Sequence, residues 1–143
     1  MATSAFIGGG GNVTFKVGNG ATPTEVFTAI EEMQSMSGLG QTNETIEVTH
    51  FASAAKEYIG GFADGQEITV QCNKVQSATI QDSVLGKVQS KASGNVQVVI
   101  TDGTTSETYA FSVAFVGWSI EPQINAQNTI TFTMKISGDI TIS

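Results

Sequence analysis

Side chains able to attack a substrate, hold a metal or move a proton are few in this chain. Its single histidine, His50, sits in Val48-Thr49-His50-Phe51. One imidazole with no cysteine or paired acids beside it cannot complete a four-ligand metal shell. Its single cysteine, Cys72, has no partner for an internal disulfide, and its alternating apolar neighbours mark a small buried hydrophobe rather than a reactive thiol. Glu31 and Glu32 are adjacent, so on a strand or a helix their carboxylates diverge and read as a solvated face, not an acid–base pair. A G-x-S-x-G nucleophile elbow is absent. Gly8 to Gly11 are followed by Asn12-Val13 instead of the Lys-Ser or Lys-Thr of a phosphate loop, and Gly18-Asn19-Gly20 lacks the third glycine of a dinucleotide site. The expectation is no catalytic residue, no metal and no cofactor, and hence no enzyme.

The elements around these residues are those of a β protein. The 143 residues suit one domain with its own core. Charged residues are 13% of the chain, too few for a disordered one. Thirteen acids face six bases, for a net charge of −7, and every base is lysine. Without arginine or a basic patch, specific nucleic-acid binding is not expected. No apolar run approaches the ~20 residues of a membrane span, and Met1 to Ile7 lack the basic and apolar regions of a signal peptide, so neither a membrane partner nor secretion is expected.

Residues 1–11 end in four glycines and read as a flexible arm whose large apolar residues are Phe6 and Ile7. From there a single domain is expected over 12–143. Val13, Phe15 and Val17 alternate with polar residues as in a half-buried strand. Residues 22–34 carry two signals. Thr22-Pro23-Thr24-Glu25 resembles a helix capping box followed by a stripe of Val26, Phe27, Ile30 and Met33, whereas Val26 to Ile30 also reads as a strand. Residues 35–45 are rich in Gly, Ser, Thr and Asn and read as a long loop or flexible hairpin, with Met36 and Leu39 exposed in it. A short strand over 46–51 and a turn-rich stretch over 52–65 follow, with Asp64-Gly65 as a tight turn. Ile68, Val70 and Cys72 alternate as a strand. Ile80, Val84, Leu85 and Val88 predict a helix over 78–91, stopped at Gly94. Beyond it, alternation predicts strands over 96–101, 107–120, 129–136 and 139–142, with Trp118 assigned to core packing. The fold class is mainly β, a sandwich or barrel with one flanking α-helix.

Ile46-Glu47-Val48-Thr49-His50-Phe51 and then Glu57-Tyr58-Ile59-Gly60-Gly61-Phe62, Asp64-Gly65-Gln66-Glu67-Ile68-Thr69-Val70 resemble the central signature of the tail tube proteins of long-tailed bacteriophages. Gly18-Asn19-Gly20 with Phe27 to Ile30 is similar to that family's first hairpin, and Ile136 to Thr141 to its C-terminal strand. Phe62 stands where the family more often has Leu. The resemblance implies a strand, not a helix, over 24–34. It implies hexameric rings stacked into a hollow tube that conducts the genome to the host, with loops and arms bridging rings. Implied partners are further copies of the chain and the tape measure, tail terminator and distal tail proteins; DNA passes without specific binding. The implied location is the virion tail, after assembly in the host cytoplasm. Phe6, Ile7, Met36, Leu39, Phe51, Tyr58 and Phe62 are then candidate assembly contacts. The net acidity and missing arginine predict a net negative lumen, for which Glu31, Glu67 and Glu107 are candidates. The tube of a related contractile or type VI secretion machine is the alternative, and a monomeric β-sandwich binding module, which would need exposed coplanar aromatics, the other.

Overall fold

The structure, a computed structural model, describes residues 9–21 and 24–143. Phe6 and Ile7 lie outside these, as do Thr22 and Pro23 of the capping-box reading. The elements in chain order are β1 (Val13–Gly18), β2 (Phe27–Ala29), β3 (Met33–Ser37), β4 (Gln41–Glu47), β5 (Tyr58–Gly65), β6 (Glu67–Asn73), α1 (Thr79–Gln89), β7 (Ser93–Thr101), β8 (Ser106–Glu121) and β9 (Thr129–Ile142).

Seven strands form one antiparallel sheet in the order β2-β1-β7-β8-β9-β6-β3, and β4 and β5 form a separate two-stranded ribbon. β2 and β3 stand at opposite ends of that order, yet only Ile30, Glu31 and Glu32 separate them in sequence. Laid flat, the sheet would hold them ~29 Å apart, at ~4.8 Å per strand. The connecting chain spans at most ~15 Å. The sheet must therefore curl until its ends approach. Ile30 N–H still bonds Phe15 O at 2.8 Å, and Asn73 N–H bonds Glu32 O at 2.9 Å, so this short link hands the chain from one end of the sheet to the other. Glu32 makes the bend with φ +48. The strand implied over 24–34 is thus present as two short strands on either side of a kink, and no helix forms there.

The curled sheet buries one face. Phe15 and Val17, Ile68, Val70 and Cys72, Val96 and Val98, Phe111, Val113 and Phe115, and Ile130, Phe132, Met134 and Ile136 make a continuous core. These are the alternating positions of their strands, as period-two burial requires. Helix α1 adds Val84, with Ile80, Leu85 and Val88 packed against the same core. The helix ends without help from Gly94. Lys91 adopts φ +59, and the bonds Lys91 N–H to Val88 O and Ala92 N–H to Lys87 O close a Schellman motif.

Three local expectations are corrected. Residues 35–45 are not one long loop: Ser35 to Ser37 complete β3, Gly38 to Gly40 turn, and Gln41 onward is β4. The turn is tight enough that Gly38 has φ +90 and a Cβ there would lie 1.9 Å from Glu67 O. The strand expected over 46–51 stops at Glu47, and His50 sits in the turn beyond it. Asp64-Gly65 is no hairpin turn but the end of β5, where the backbone presses so closely on β9 that a Cβ on Gly65 would meet Ile136 at 2.5 Å. Polar side chains on both faces hide β4 from any alternation test.

Candidate assembly surface

The ribbon β4–β5 shows apolar residues to solvent. Ile46 pairs with Ile59 across it, which puts both side chains on one face, and Val48 extends that face by bonding Glu57 O through its N–H at 2.8 Å. All three are exposed. Tyr58 lies on the opposite face, Phe62 in β5 is 87% exposed, and Phe51 at the tip is wholly so. A two-stranded hairpin alone is marginal in water. Here polar bonds brace the tip: Ser53 Oγ donates to Glu57 at 2.5 Å, His50 Nε2 stands 3.4 Å from the same carboxylate, and Ala52 N–H donates to His50 Nδ1 at 3.2 Å. Ser53 does not donate to His50, so the cluster is a loop staple and not a nucleophile with its base.

Met36 and Leu39 are not exposed loop residues. Both are half-buried and pack on the main core, Met36 because β3 joins the sheet and Leu39 from the turn that follows it.

The three acids put forward for one surface occupy three different places. Glu31 is a helix cap. Its two carboxylate oxygens accept the N–H groups of Ile80 and Gln81, each at 3.1 Å. Helix α1 begins at Ala78, which has no side-chain acceptor, so a carboxylate about fifty positions earlier fills the site that Ser or Asp would fill locally. Gln81, 1% exposed, secures the same junction. Its amide N–H groups donate to Glu31 O at 3.0 Å and Asn73 O at 2.9 Å, and its oxygen accepts Val75 N–H at 3.2 Å. The same Glu31 charge adds to burial in pushing the Cys72 thiol up to about 12, burial being the larger cause. Glu107 pairs with Ile100 on the core side of the sheet, beyond the end of the core, and accepts the Tyr109 hydroxyl at 2.7 Å. That bond raises the Tyr109 pKa. Glu67 alone lies on the polar face, opposite Lys135, whose ammonium is 3.6 Å from Asp64. Trp118 pairs with Phe132 on the core side and is 40% exposed. Among the described residues no group of His, Cys, Asp and Glu is placed to hold a metal.

The polar face belongs to four consecutive strands, β3-β6-β9-β8. Register aligns Ser37, Thr69, Thr133 and Gly117 in one row and Ser35, Gln71, Thr131 and Ser119 in the next. Charges stand only toward the ends, with Glu67 and Lys135 in one flanking row and Glu121 in the other. Both outer edges of this panel are open: β3 pairs only with β6, and β7 pairs with β8 only as far as Ala114. Individual alternations had revealed these polar residues, but not that they form one panel with level edges.

No protein-family model matches the chain, and no curated protein matches its sequence. Solved structures do match. A chain of the tail of an empty gene transfer agent particle, refined with C6 symmetry, superposes with a TM-score of 0.73 at 16% identity, covering 94% of this chain and 97% of that one. A chain of the SPP1 tail tube gives 0.69 at 9% identity, covering 94% and 77%. A chain of the sheath–tube complex of an extracellular contractile injection system gives 0.66 at 14% identity, covering 92% and 88%. At these identities the likeness is one of fold: this chain has the fold of those tail and tube chains.

Proposed function

We propose that the protein is the structural subunit of a tail tube, in which six copies close into a ring and rings stack into a hollow conduit. The observation that carries this is the panel with two open edges. The free stretch of β8, Val116 to Glu121, lies in the same rows as β3. The panel has an even number of strands, so β8 of one copy meeting β3 of the next continues the antiparallel pattern without a break. Such edges associate unless they are blocked, and nothing among the described residues blocks them. Six panels make about 24 strands, a barrel roughly 37 Å across before strand tilt at ~4.8 Å per strand. The core lies on one side of each panel, so its hydroxyl and amide face lines the passage. Acids outnumber bases there, Glu67 and Glu121 against Lys135, and the central rows are neutral. A polyanion is held where Lys and Arg gather, so this lining lets DNA pass.

The role is structural, not catalytic, and the site of action is the virion tail, with terminator and tape measure proteins as further partners. The likeness to a contractile injection system supports a sheathed machine as the second reading. Electron microscopy of the purified protein tests the first: rings or tubes are expected. Trp118↔Phe132 is a non-hydrogen-bonded pair of the β8–β9 ladder, so the Trp118 N–H faces the open edge, and Trp118→Pro, which removes that donor, should leave a folded monomer that forms neither. Only monomers from the unaltered protein at every concentration, or normal tubes from Trp118→Pro, would overturn the proposal.

A further inference from the structure

Asn19-Gly20 is the one Asn-Gly pair of the chain, and both residues are exposed in the connection from β1 to β2. A glycine after an asparagine leaves its backbone nitrogen unshielded, so that nitrogen can approach the asparagine amide carbon. Three features of this turn favour the approach. The Asn19 Oδ1 accepts two backbone N–H groups, from Ala21 at 3.0 Å and from Val26 at 3.1 Å. The bond to Ala21 is an Asx turn, which folds the side chain back over the peptide between Asn19 and Gly20. The Gly20 N–H itself donates to Glu25 Oε2 at 2.7 Å. The other oxygen of that carboxylate accepts Asn95 Nδ2 at 2.8 Å, and Asn95 Oδ1 in turn accepts the Ser112 hydroxyl at 2.8 Å. A carboxylate is thus held on the N–H of a nucleophile by a third group, while two donors sit on the oxygen of the electrophile. Gly18 leaves the space for it, since a Cβ there would collide with the Glu25 carboxylate.

We propose that Asn19 is a self-modification site, with Gly20 N as nucleophile and Glu25 as its base. Glu25 takes the Gly20 amide proton, and the nitrogen bonds to Asn19 Cγ to close a five-membered imide. Negative charge grows on Oδ1, where the Ala21 and Val26 N–H groups stabilise it. The Cγ–Nδ2 bond then breaks, and the amide nitrogen leaves as ammonia with the proton that Glu25 held. Water adds to one of the two imide carbonyls and opens the ring, to aspartate or to isoaspartate. Water is the only co-reactant, and the change is one-way because the ammonia is lost. Either product sets a new carboxylate beside Glu25, and isoaspartate lengthens the main chain by a methylene between β1 and β2. Among the described residues β2 pairs with β1 alone, from Lys16↔Ala29 to Gly18↔Phe27, so the modification loosens that end of the sheet. The inference stands apart from the tube reading, since it needs only the folded chain.

The test ages the purified protein in near-neutral buffer and follows each asparagine by peptide mapping. Asn19 should convert to aspartate and isoaspartate, while Asn43, Asn95 and Asn125, which lack a following glycine, stay as amides. Hydroxylamine, which cuts a chain at an imide, should cleave after Asn19. Glu25→Gln keeps an oxygen to accept the Gly20 N–H but cannot hold its proton, so conversion should slow by at least roughly tenfold. The unaltered chain unfolded in urea has the same Asn-Gly pair without the base, and it should be slowed in the same way whether or not the variant folds. Equal rates in the native protein and in urea would mark an ordinary Asn-Gly pair and overturn the proposal. An Asn19 that keeps its amide in the native protein, or converts there more slowly than in urea, would overturn it as well. So would a folded Glu25→Gln that converts at the native rate.

Discussion

Phe132 and Phe51 are the same side chain in two antiparallel β regions with opposite fates. Phe132 is wholly buried between β6 and β8, whereas Phe51 is wholly exposed at the tip of a two-stranded ribbon. In the seven-stranded sheet, the curl gives the alternating apolar residues from Phe15 to Ile136 neighbours on the inner face. In the ribbon, the same chemistry has no third strand and no second layer, so Ile46, Val48 and Ile59 face water. The difference teaches that apolar content alone does not locate a core. A strand's apolar residues stabilise the monomer only where the topology supplies an opposing layer, and otherwise they become a surface for another molecule.

That contrast can be broken by substitution. Phe132→Ala should cost the monomer ~3–5 kcal/mol in urea unfolding, while Phe51→Ala should change it by under ~0.5 kcal/mol. Comparable losses at the two sites would mean that the hairpin belongs to the core. Gln81→Leu comes next in size. It leaves Val75 N–H and two backbone carbonyls without their buried partner, so ~1–3 kcal/mol should go. Glu31→Ala removes a cap, at ~0.5–2 kcal/mol, and part of the helical circular dichroism should fade with it. An unchanged melt in Glu31→Ala would show that α1 is held by packing alone.

Two smaller effects depend on pH. The folded Cys72 thiol keeps its proton to about 12, whereas in the unfolded chain it ionises near 9.0. Its contribution is therefore intact below the unfolded value and is lost as pH rises from there toward the folded one. Urea melts should show an alkaline fall in stability that Cys72→Ala lacks. Asp102 runs the other way. Backbone N–H groups of Thr105 and Thr104 bond its carboxylate and lower its pKa, so its support of the β7–β8 turn is present above the ordinary Asp value and fades as pH falls through the depressed one. Asp102→Asn should soften that acid limb slightly, with no change at neutral pH.

The residues themselves determined a good deal. Period-two alternation in β1, β6, β8 and β9 marks which side chains go inward, since a strand can bury only every second residue. The apolar stripe of α1 is local in the same sense, as are the turns at Gly18 and Asp102. The hairpin's Phe51, Tyr58 and Phe62 are candidate assembly contacts through the resemblance alone, and the structure leaves all three exposed. Tertiary structure decided the rest. Glu31 looks like a solvated acid in sequence, and only the kink at Glu32 carries it to the start of a helix about fifty residues on. Met36 and Leu39 look like loop residues because their neighbours are small and polar; pairing with β6 turns Met36 toward the core, and the tight turn after it carries Leu39 there. Whether an edge is open, and which edges stand level, depends on where β7 begins against β8 and where β3 joins β6. Those are contacts between distant segments, and no short window of sequence contains both partners.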